Sequence, residues 1–566
     1  MIGFMNLVHT IGRFHRKNKN CLLLSGIVLL SFLIHFFSSI YWGGLYPDGM
    51  HYASLGKNII ELGKYQSDGS HFPDIIQPPL YPLLISLAYL FLKDPLISGF
   101  LVSSLFKALA TIPLFLIAGR VFNKTIAIIA SLLFTGYPLL FSCTISIASD
   151  STYCFFFLLV IFLIFNSFHK TSYRTAIIIG GLIGLAYITR VEGLSLLIIS
   201  LALMILESFK SDKWKHNFTC VSFLFIGFLI VYIPLTVFIY KHSGQLMLSP
   251  KIRMILIHKK IWKASESDLQ FRRSSEELKY QKAIFKYSPE TNNLLTNDMF
   301  FQKESLLAPH HDVNSDSHDK KSLYNTLRRK IKMLLGNFIA LYKRINYISV
   351  FPPLLFPMII LGFFGKPWEE VAWQNNGRLL VVIAISSAFL FSHVAVRFLF
   401  PIIPLALLWC AEGIVRFTHI AVRSLNNVNI VISSKRINIF VTACIILSMI
   451  PSMISIAKVK KKHIQDYKKV AKLIEAYVPE NATVIAKKPQ SSYLANRHYA
   501  PIPYLNFDEL LKYSLKFEEC ALVLTKEDEV KRPELIQEIN ELRGQKLKDR
   551  SYSIIFKDEC IIMNFK

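Results

Sequence analysis

Charge is scarce in this chain. Asp, Glu, Lys and Arg make up only 18% of its residues against 52% hydrophobic, and the mean hydropathy is +0.40, a balance that soluble globular domains do not reach. Acid is scarcer than base: 38 Asp and Glu face 64 Lys and Arg, a formal net charge of +26. The basic residues are scattered between apolar stretches, which argues against a nucleic-acid partner and for loops on one side of a membrane. The eight cysteines show no metal-type spacing. Cys21, Cys143, Cys154, Cys220, Cys410 and Cys444 lie in or beside apolar runs and read as core thiols, whereas Cys520 and Cys560 fall in a polar tail where a disulfide stays open. No P-loop and no dinucleotide fingerprint occurs, which leaves nucleotide-driven transport and redox chemistry without support. The stretch "HHDVNSDSHDKK" (310–321) is not a calcium loop, because Ser317 stands where the turn needs glycine and Leu323 where it needs glutamate. It reads as a solvated loop, and no metal site is expected. No solenoid-type repeat is present.

What the chain has in quantity is apolar runs long enough to cross a bilayer core of ~30 Å, roughly twenty residues each. A chain of this kind satisfies its backbone in the membrane with helices. Residues 21–42 exceed a signal-peptide core and lack a small-residue cleavage site, so they read as a retained first helix. Basic clusters at Arg13/Arg16/Lys17/Lys19, Arg120/Lys124, His169/Lys170/Arg174, Lys210/Lys213/Lys215, Lys366/Arg378 and Arg416/Arg423/Lys435/Arg436 fit one side of the membrane. The expected spans are then 21–42, 99–119, 125–143, 151–168, 175–189, 193–209, 217–239, 351–365, 379–396, 398–415 and 437–456. The expected fold is a polytopic α-helical membrane protein of about eleven helices in the plasma membrane, N-terminus cytoplasmic. "PPLYPLLISLAYLFL" (78–92) is short, opens with two prolines and would reverse the charge pattern if it crossed, so it reads as a helix lying in the outer interface.

Two domains follow: a membrane domain over 1–456, with outer loops at 43–98 and 240–335, and an extracytoplasmic tail over 457–566. The tail alternates a helical pattern ("IQDYKKVAKLIEAYV") with short apolar runs ("TVIAK", "ALVLT", "YSIIF") and reads as a small α/β domain.

Charges that interrupt apolar sequence are the candidate site residues. Asp48, in "YPDGMHY", reads either as a helix cap or as a general base poised at the mouth of the bundle. Asp150, in "SIASDSTYCFF", carries the same two readings. Arg190 and Glu192, in "YITRVEGL", and Arg397, in "SHVAVRFLFPIIP", either bind a ligand or find structural partners. His393 reads as a core histidine.

In succession, the acid after the first helix followed by "HYASLGKNIIELGKY", then "QPPLYPLLISLAYLF", "GLAYITRVEGLSLLI", "RFLFPIIPLALL" and "VPENATVIAKKPQSSYLANRHYAPIP" are a pattern that resembles the GT-C class of polytopic glycosyltransferases. Within that class the likeness is to family 39 and its bacterial relatives, the protein O-mannosyltransferases and lipid A aminoarabinose transferases. The resemblance implies sugar transfer on the outer face of the membrane from a polyprenyl-phosphate sugar. It maps the catalytic base onto Asp48 and a second site acid onto Asp150. Two departures stand out: Gly49 replaces the second acid that many relatives carry, and Gln77 replaces the lysine that aminoarabinose transferases carry before the double proline.

In chemical terms such a site needs a base near the acceptor hydroxyl and cations near the leaving lipid phosphate. Asp48 would supply the base, Arg397 with Arg190 the cations, and Glu192 would orient Arg190; Tyr52 and Gln77 complete the candidate substrate contacts. The acceptor (lipid, glycan or protein) and any divalent metal stay open. Two alternatives belong to other classes. A transporter or lipid flippase would carry charges near the bilayer midplane, often in two related halves, and a membrane-anchored binding protein would work through its tail alone.

Overall fold

The computed structural model describes residues 18–66, 73–167, 172–208, 214–244, 246–251, 352–365, 370–392 and 396–565, the last apart from 503–506, 516, 526–527, 529–532, 542–551 and 558–559. In chain order the first helices are α1 (Asn18–Trp42), α2 (Pro47–Glu61), α3 (Leu80–Leu92), α4 (Pro95–Val121), α5 (Lys124–Gly136), α6 (Pro138–Thr144) and α7 (Asp150–Ser167). They are followed by α8 (Tyr173–Tyr187), α9 (Leu194–Ser208), α10 (Trp214–Ser243), α11 (Leu355–Phe364), α12 (Glu370–Ser392), α13 (Ile403–Asn427) and α14 (Ser434–Tyr477).

Every expected span contains a helix, but the helices differ in reach. Among the described residues α1, α4, α7, α10, α13 and α14 are each long and apolar enough to cross a membrane, and the pair α5–α6, bent between its two helices, passes the same test when taken together. The helices α8, α9 and α11 are apolar but shorter; fifteen residues of α8 rise only about 22 Å. Helix α12 begins at Glu370, ahead of the expected start, and its first turns hold Gln374, Asn375, Asn376 and Arg378. The expected interfacial segment 78–92 is α3, which buries Tyr81, Ile85 and Tyr89 and exposes Leu87, Leu90 and Phe91.

Helices α4 and α7 form the centre of the bundle, whereas α1, α10 and the first half of α14 expose apolar side chains such as Leu29, Phe37, Ile230, Val237, Phe440 and Leu447. Facing helices approach closely through glycine: a Cβ on Gly362 of α11 would lie 1.8 Å from the Trp409 carbonyl of α13, the small-residue contact that tight helix pairs in membranes use. The bend of 55° between α5 and α6 has a covalent cause. Pro138 has no N–H to return to the Phe134 carbonyl one turn back. Buried Lys107 of α4 supplies the missing donor, its Nζ 2.9 Å from Phe134 O.

The tail is the expected α/β domain: β1 (Thr483–Ala486), α15 (Gln490–Leu494), β2 (His498–Pro501), α16 (Phe507–Ser514), β3 (Cys520–Thr525), α17 (Pro533–Glu541), β4 (Tyr552–Lys557) and β5 (Cys560–Phe565). The sheet runs β2-β1-β3-β5-β4, parallel across β2, β1 and β3 and antiparallel beyond. Alternation along the strands splits the core. Ile485, Leu522, Leu524 and Met563 face α16 and α17, while Val484, Ala521, Val523 and Ile562 face the end of α14. Cys520 pairs with Phe565 and Cys560 with Thr525 in the β3–β5 ladder, so the two thiols lie at opposite ends of the ladder. Five strand residues put them about 17 Å apart, well beyond disulfide reach.

One difference from the sequence reading is mechanical. The helical pattern assigned to the tail is no separate helix: α14 is 44 residues long and runs from the last span, through the expected boundary at 456/457, to the first strand. At 1.5 Å per residue it measures about 66 Å, roughly twice a bilayer core.

Candidate functional site

The polar residues that interrupt the apolar sequence converge at one end of the bundle. They come from the first turns of α2 and α7, the loop before α3, the turn between α8 and α9, the segment after α10 and the short helical turn before α13.

Pro47 holds the first helical position of α2, which makes Tyr46 the N-cap, and no side chain caps the helix there. Asp48 therefore sits inside the first turn, and its Oδ2 accepts from Arg397 Nη1 at 3.2 Å, across 349 residues of chain. The capping reading of Asp48 gives way to this pair. About half of each side chain remains in water, 51% for Asp48 and 45% for Arg397. The recess around Asp48 pushes its carboxyl up, but Lys251, Arg397 and His51 together outweigh that effect and hold it below the ordinary aspartate value.

One turn along α2, His51 Nε2 donates to Asp74 Oδ2. Asp74 is buried and accepts two backbone N–H groups as well, from Ile76 at 2.7 Å and Gln77 at 2.9 Å. Burial alone would raise the Asp74 carboxyl; His51 and the two amides reverse the sign and lower it. For His51 burial acts downward, and Asp74, with help from Asp48, carries the imidazole above its usual value. Gln77 shares its Oε1 between Tyr52 OH and Lys251 Nζ, each at 3.3 Å.

A second group is buried beside the first. Arg190 Nη1 donates to Asp150 Oδ1 at 2.8 Å, while its Nη2 and Nε grip both oxygens of Glu192 at 2.8 and 3.3 Å. Burial opposes charge on both partners, yet Asp150 and Glu192 keep the guanidinium firmly protonated, and Arg190 keeps Glu192 below the ordinary glutamate value. Tyr52 bridges the groups: its ring packs edge-on to Tyr81 at 5.1 Å, and its hydroxyl lies within electrostatic reach of Arg190.

Backbone stitching fixes the two acids relative to each other. Gly44 N donates to Ile145 O at 3.0 Å and pairs with Ser146 in an isolated parallel bridge, which ties the segment before Asp48 to the segment before Asp150. A Cβ on Gly49 would lie 2.7 Å from the Ile147 carbonyl, so no side chain fits beside Asp48 without moving one segment. An acid at this position would have to displace that contact. Lys460, buried on α14, donates to Ser142 O and Ser146 Oγ from the other side. Gln490 of α15 donates to Leu45 O at 3.3 Å, and Ile464, Tyr493 and Leu494 pack on the cluster around Met50 and Tyr81. The tail domain therefore buttresses the Asp48 loop directly.

All seven residues singled out from sequence (Asp48, Asp150, Arg397, Arg190, Tyr52, Glu192 and Gln77) lie in these two groups. Sequence reasoning missed Lys251, the His51–Asp74 pair and Lys460. Lys251 follows a Ser-Pro helix start like many surface lysines, and Lys460 hides in the run "KVKKKH". His393 and the stretch 310–321 lie outside the described residues. Among the described residues no group of three or more His, Cys, Asp or Glu is placed to hold a metal ion.

The described residues thus form a helical bundle with polar loops gathered at one end and a small domain docked on them. The crystal structure of the Archaeoglobus fulgidus oligosaccharyltransferase tethered with an acceptor peptide shares this fold, at a TM-score of 0.53 and 14% identity over 89% of this chain and 69% of that one. The archaeal oligosaccharyltransferase AglB from Archaeoglobus fulgidus, in complex with an inhibitory peptide and a dolichol-phosphate, gives 0.50 and 13% over 90% and 69%. ArnT from Cupriavidus metallidurans bound to undecaprenyl phosphate gives 0.46 and 12% over 96% and 97%. Residues 76–238 match the family model described as Dolichyl-phosphate-mannose-protein mannosyltransferase. Curated proteins give no significant sequence match. The structural likeness is therefore one of fold, shared with the archaeal oligosaccharyltransferase, and the family match covers residues 76–238 of the 566.

Proposed function

We propose that the protein transfers a sugar from a polyprenyl-phosphate-linked donor to an acceptor hydroxyl on the outer face of the plasma membrane, with Asp48 as general base. The observation that carries this reading is the placement of Asp48: a half-exposed carboxylate at the rim of the site, flanked by the two cations Arg397 and Lys251. The dolichol-phosphate bound to the archaeal enzyme of the same fold supports the choice of donor class.

The reaction balances as follows. The acceptor oxygen attacks the anomeric carbon, its proton passes to Asp48, and the bond from that carbon to the phosphate oxygen breaks. The lipid phosphate leaves with one more negative charge than it had in the donor. Arg397 and Lys251 receive that charge through charge-assisted hydrogen bonds. In the free enzyme these cations hold Asp48 ionised but weakly basic. Donor phosphate competes for both, which frees the carboxylate and raises its basicity when the base is needed. Asp150 and Glu192 hold Arg190 rigid beneath Tyr52 and Gln77, a buried floor against which the donor headgroup sits.

The orientation rests on the basic clusters, which the positive-inside rule assigns to the cytoplasm; the tail and the site then lie outside. Cys520 is buried and cannot report on this, so the reporter is a cysteine at exposed Lys469 in α14. An impermeant thiol reagent should label it in intact cells. Labelling only after permeabilisation would reverse the topology. Function is tested by mass spectrometry of envelope lipids, glycans and proteins from cells carrying wild type or Asp48→Asn. One envelope component should lose the mass of one sugar residue in the variant, and identical spectra would remove the proposal.

A further inference from the structure

We infer that the base of the tail-bearing helix carries a contact site for the phosphate groups of anionic phospholipids, formed by Lys458, Lys461 and Lys462 and independent of the transfer site. Beyond Ala457 the exposed side of α14 is a lysine stripe. At 100° per residue Lys458, Lys461, Lys462, Lys468, Lys469 and Lys472 fall within an arc of about 120°, which excludes Asp466 and Glu475. Lys460 lies outside the arc and points into the protein, where it is buried against Ser142 and Ser146. Among the described residues none of the six stripe lysines forms an ion pair with a carboxylate. Five of the six are exposed and Lys461 is partly so. Among the described residues the stripe is therefore a row of charge without a carboxylate set against it.

A second observation sets its depth. Trp42, at the end of α1, packs with Met453, Ile456 and Ala457 of α14, and the Lys461 ammonium stands 3.8 Å from the Tyr41 ring centroid. Lys460 likewise stands over the Tyr46 ring at 4.7 Å. Tyr41 and Trp42 close a 22-residue apolar run whose length, about 33 Å, matches a bilayer core. Tyrosine and tryptophan collect at the headgroup level. The first three lysines therefore emerge at that level, side by side with the aromatic end of α1. Lys468, Lys469 and Lys472 stand on average about 14 Å further along the axis, beyond a Debye length of ~8 Å at physiological salt. The headgroup layer thus reaches one end of the stripe and not the other.

The test uses the full-length protein in a neutral detergent, with native mass spectrometry counting bound phosphatidylglycerol against phosphatidylcholine. Wild type should prefer phosphatidylglycerol. Combining Lys458→Gln, Lys461→Gln and Lys462→Gln should cut that preference by about a hundredfold, at about fivefold per lysine near an anionic surface. Combining Lys468→Gln, Lys469→Gln and Lys472→Gln should cut it by about threefold at most, because of screening. Melting temperatures in neutral detergent should stay within a few degrees of wild type for both sets, the first losing only the Lys461 contact with the Tyr41 ring. Equal losses from the two sets would overturn the inference in favour of an elongated soluble polyanion along the stripe. A full preference retained by the first set would overturn it outright.

Discussion

Replacing Asp48 by asparagine separates folding, donor binding and chemistry in a single variant. The exchange keeps the shape of the side chain and removes the negative charge between Arg397 and Lys251. Folding should barely notice. The Asp48–Arg397 pair is half in water, at 51% and 45% exposure, and such pairs contribute only ~0–1 kcal/mol. Transfer should fall by ~10²- to 10⁴-fold, the worth of a positioned general base, or about 3 to 5 kcal/mol of barrier. Donor binding should move the opposite way, because the two cations then meet the lipid phosphate unopposed. The assay is transfer in proteoliposomes alongside undecaprenyl phosphate binding and thermal melting of the same preparations. A pH profile adds a second arm. The cations lower the Asp48 carboxyl in the free enzyme, so the acid limb of kcat/KM should lie below the ordinary aspartate value of 3.8. Donor engages those cations, so the acid limb of kcat should lie higher. A variant that transfers at the wild-type rate, or one that binds undecaprenyl phosphate more weakly than wild type, refutes the assignment.

Four further outcomes can be measured on purified protein. Arg397→Lys should keep part of the undecaprenyl phosphate affinity and Arg397→Ala little of it, since lysine offers one point charge where the guanidinium offers two parallel donors; melting temperatures should stay within a few degrees of wild type. The His51–Asp74 pair should shape stability with pH: the raised His51 contributes in full below its ordinary 6.5 and is lost as pH rises through its folded value, whereas the lowered Asp74 contributes above its ordinary 3.8 and is lost as pH falls through its folded value. His51→Gln should flatten the decline in melting temperature above pH 6.5, and an unchanged slope would count against the pair. Lys460→Met leaves Ser142 O and Ser146 Oγ without their buried donor and should cost ~1–3 kcal/mol, with a fall in kcat larger than any change in donor affinity. Gly49→Ala should destabilise by ~1–3 kcal/mol and slow transfer, because its Cβ would press on the Ile147 carbonyl at 2.7 Å.

Asp48, Asp150, Arg190, Glu192 and Arg397 were legible because charge inside apolar sequence is costly and draws attention wherever it falls. The helical membrane class and the strands of "TVIAK", "ALVLT" and "YSIIF" were legible through the same hydropathy, read at two periods. What escaped was partnership. Asp48 meets Arg397 across 349 residues and Lys251 meets Gln77 across 174, and no local pattern encodes contacts of that separation. Asp48 looked like a cap because aspartate before a helix often is one; Pro47 moves the capping position back to Tyr46. Lys460 escaped because a lysine run reads as solvated, and only the helical period shows that one member of "KVKKKH" turns inward. The continuity of α14 escaped for a related reason, since its hydropathy changes abruptly near 457 while its backbone does not.

Because α14 is unbroken from membrane to sheet, the distance between them is counted in helical phase. Lys460 reaches Ser142, Ile464 reaches the cluster around Met50, and Ile474 reaches the tail core, all from one rod. Inserting a single residue after Ala457 would turn everything beyond it by about 100° and advance it by about 1.5 Å, so that Lys460 would leave Ser142 while Gln490 swung away from Leu45. Inserting four would nearly restore the angle but lift the sheet by about 6 Å. Connectors between domains ordinarily tolerate such changes in length. Here the connector is a toothed shaft, and the chain can neither gain nor lose a residue in it without throwing the acid-bearing loops out of step.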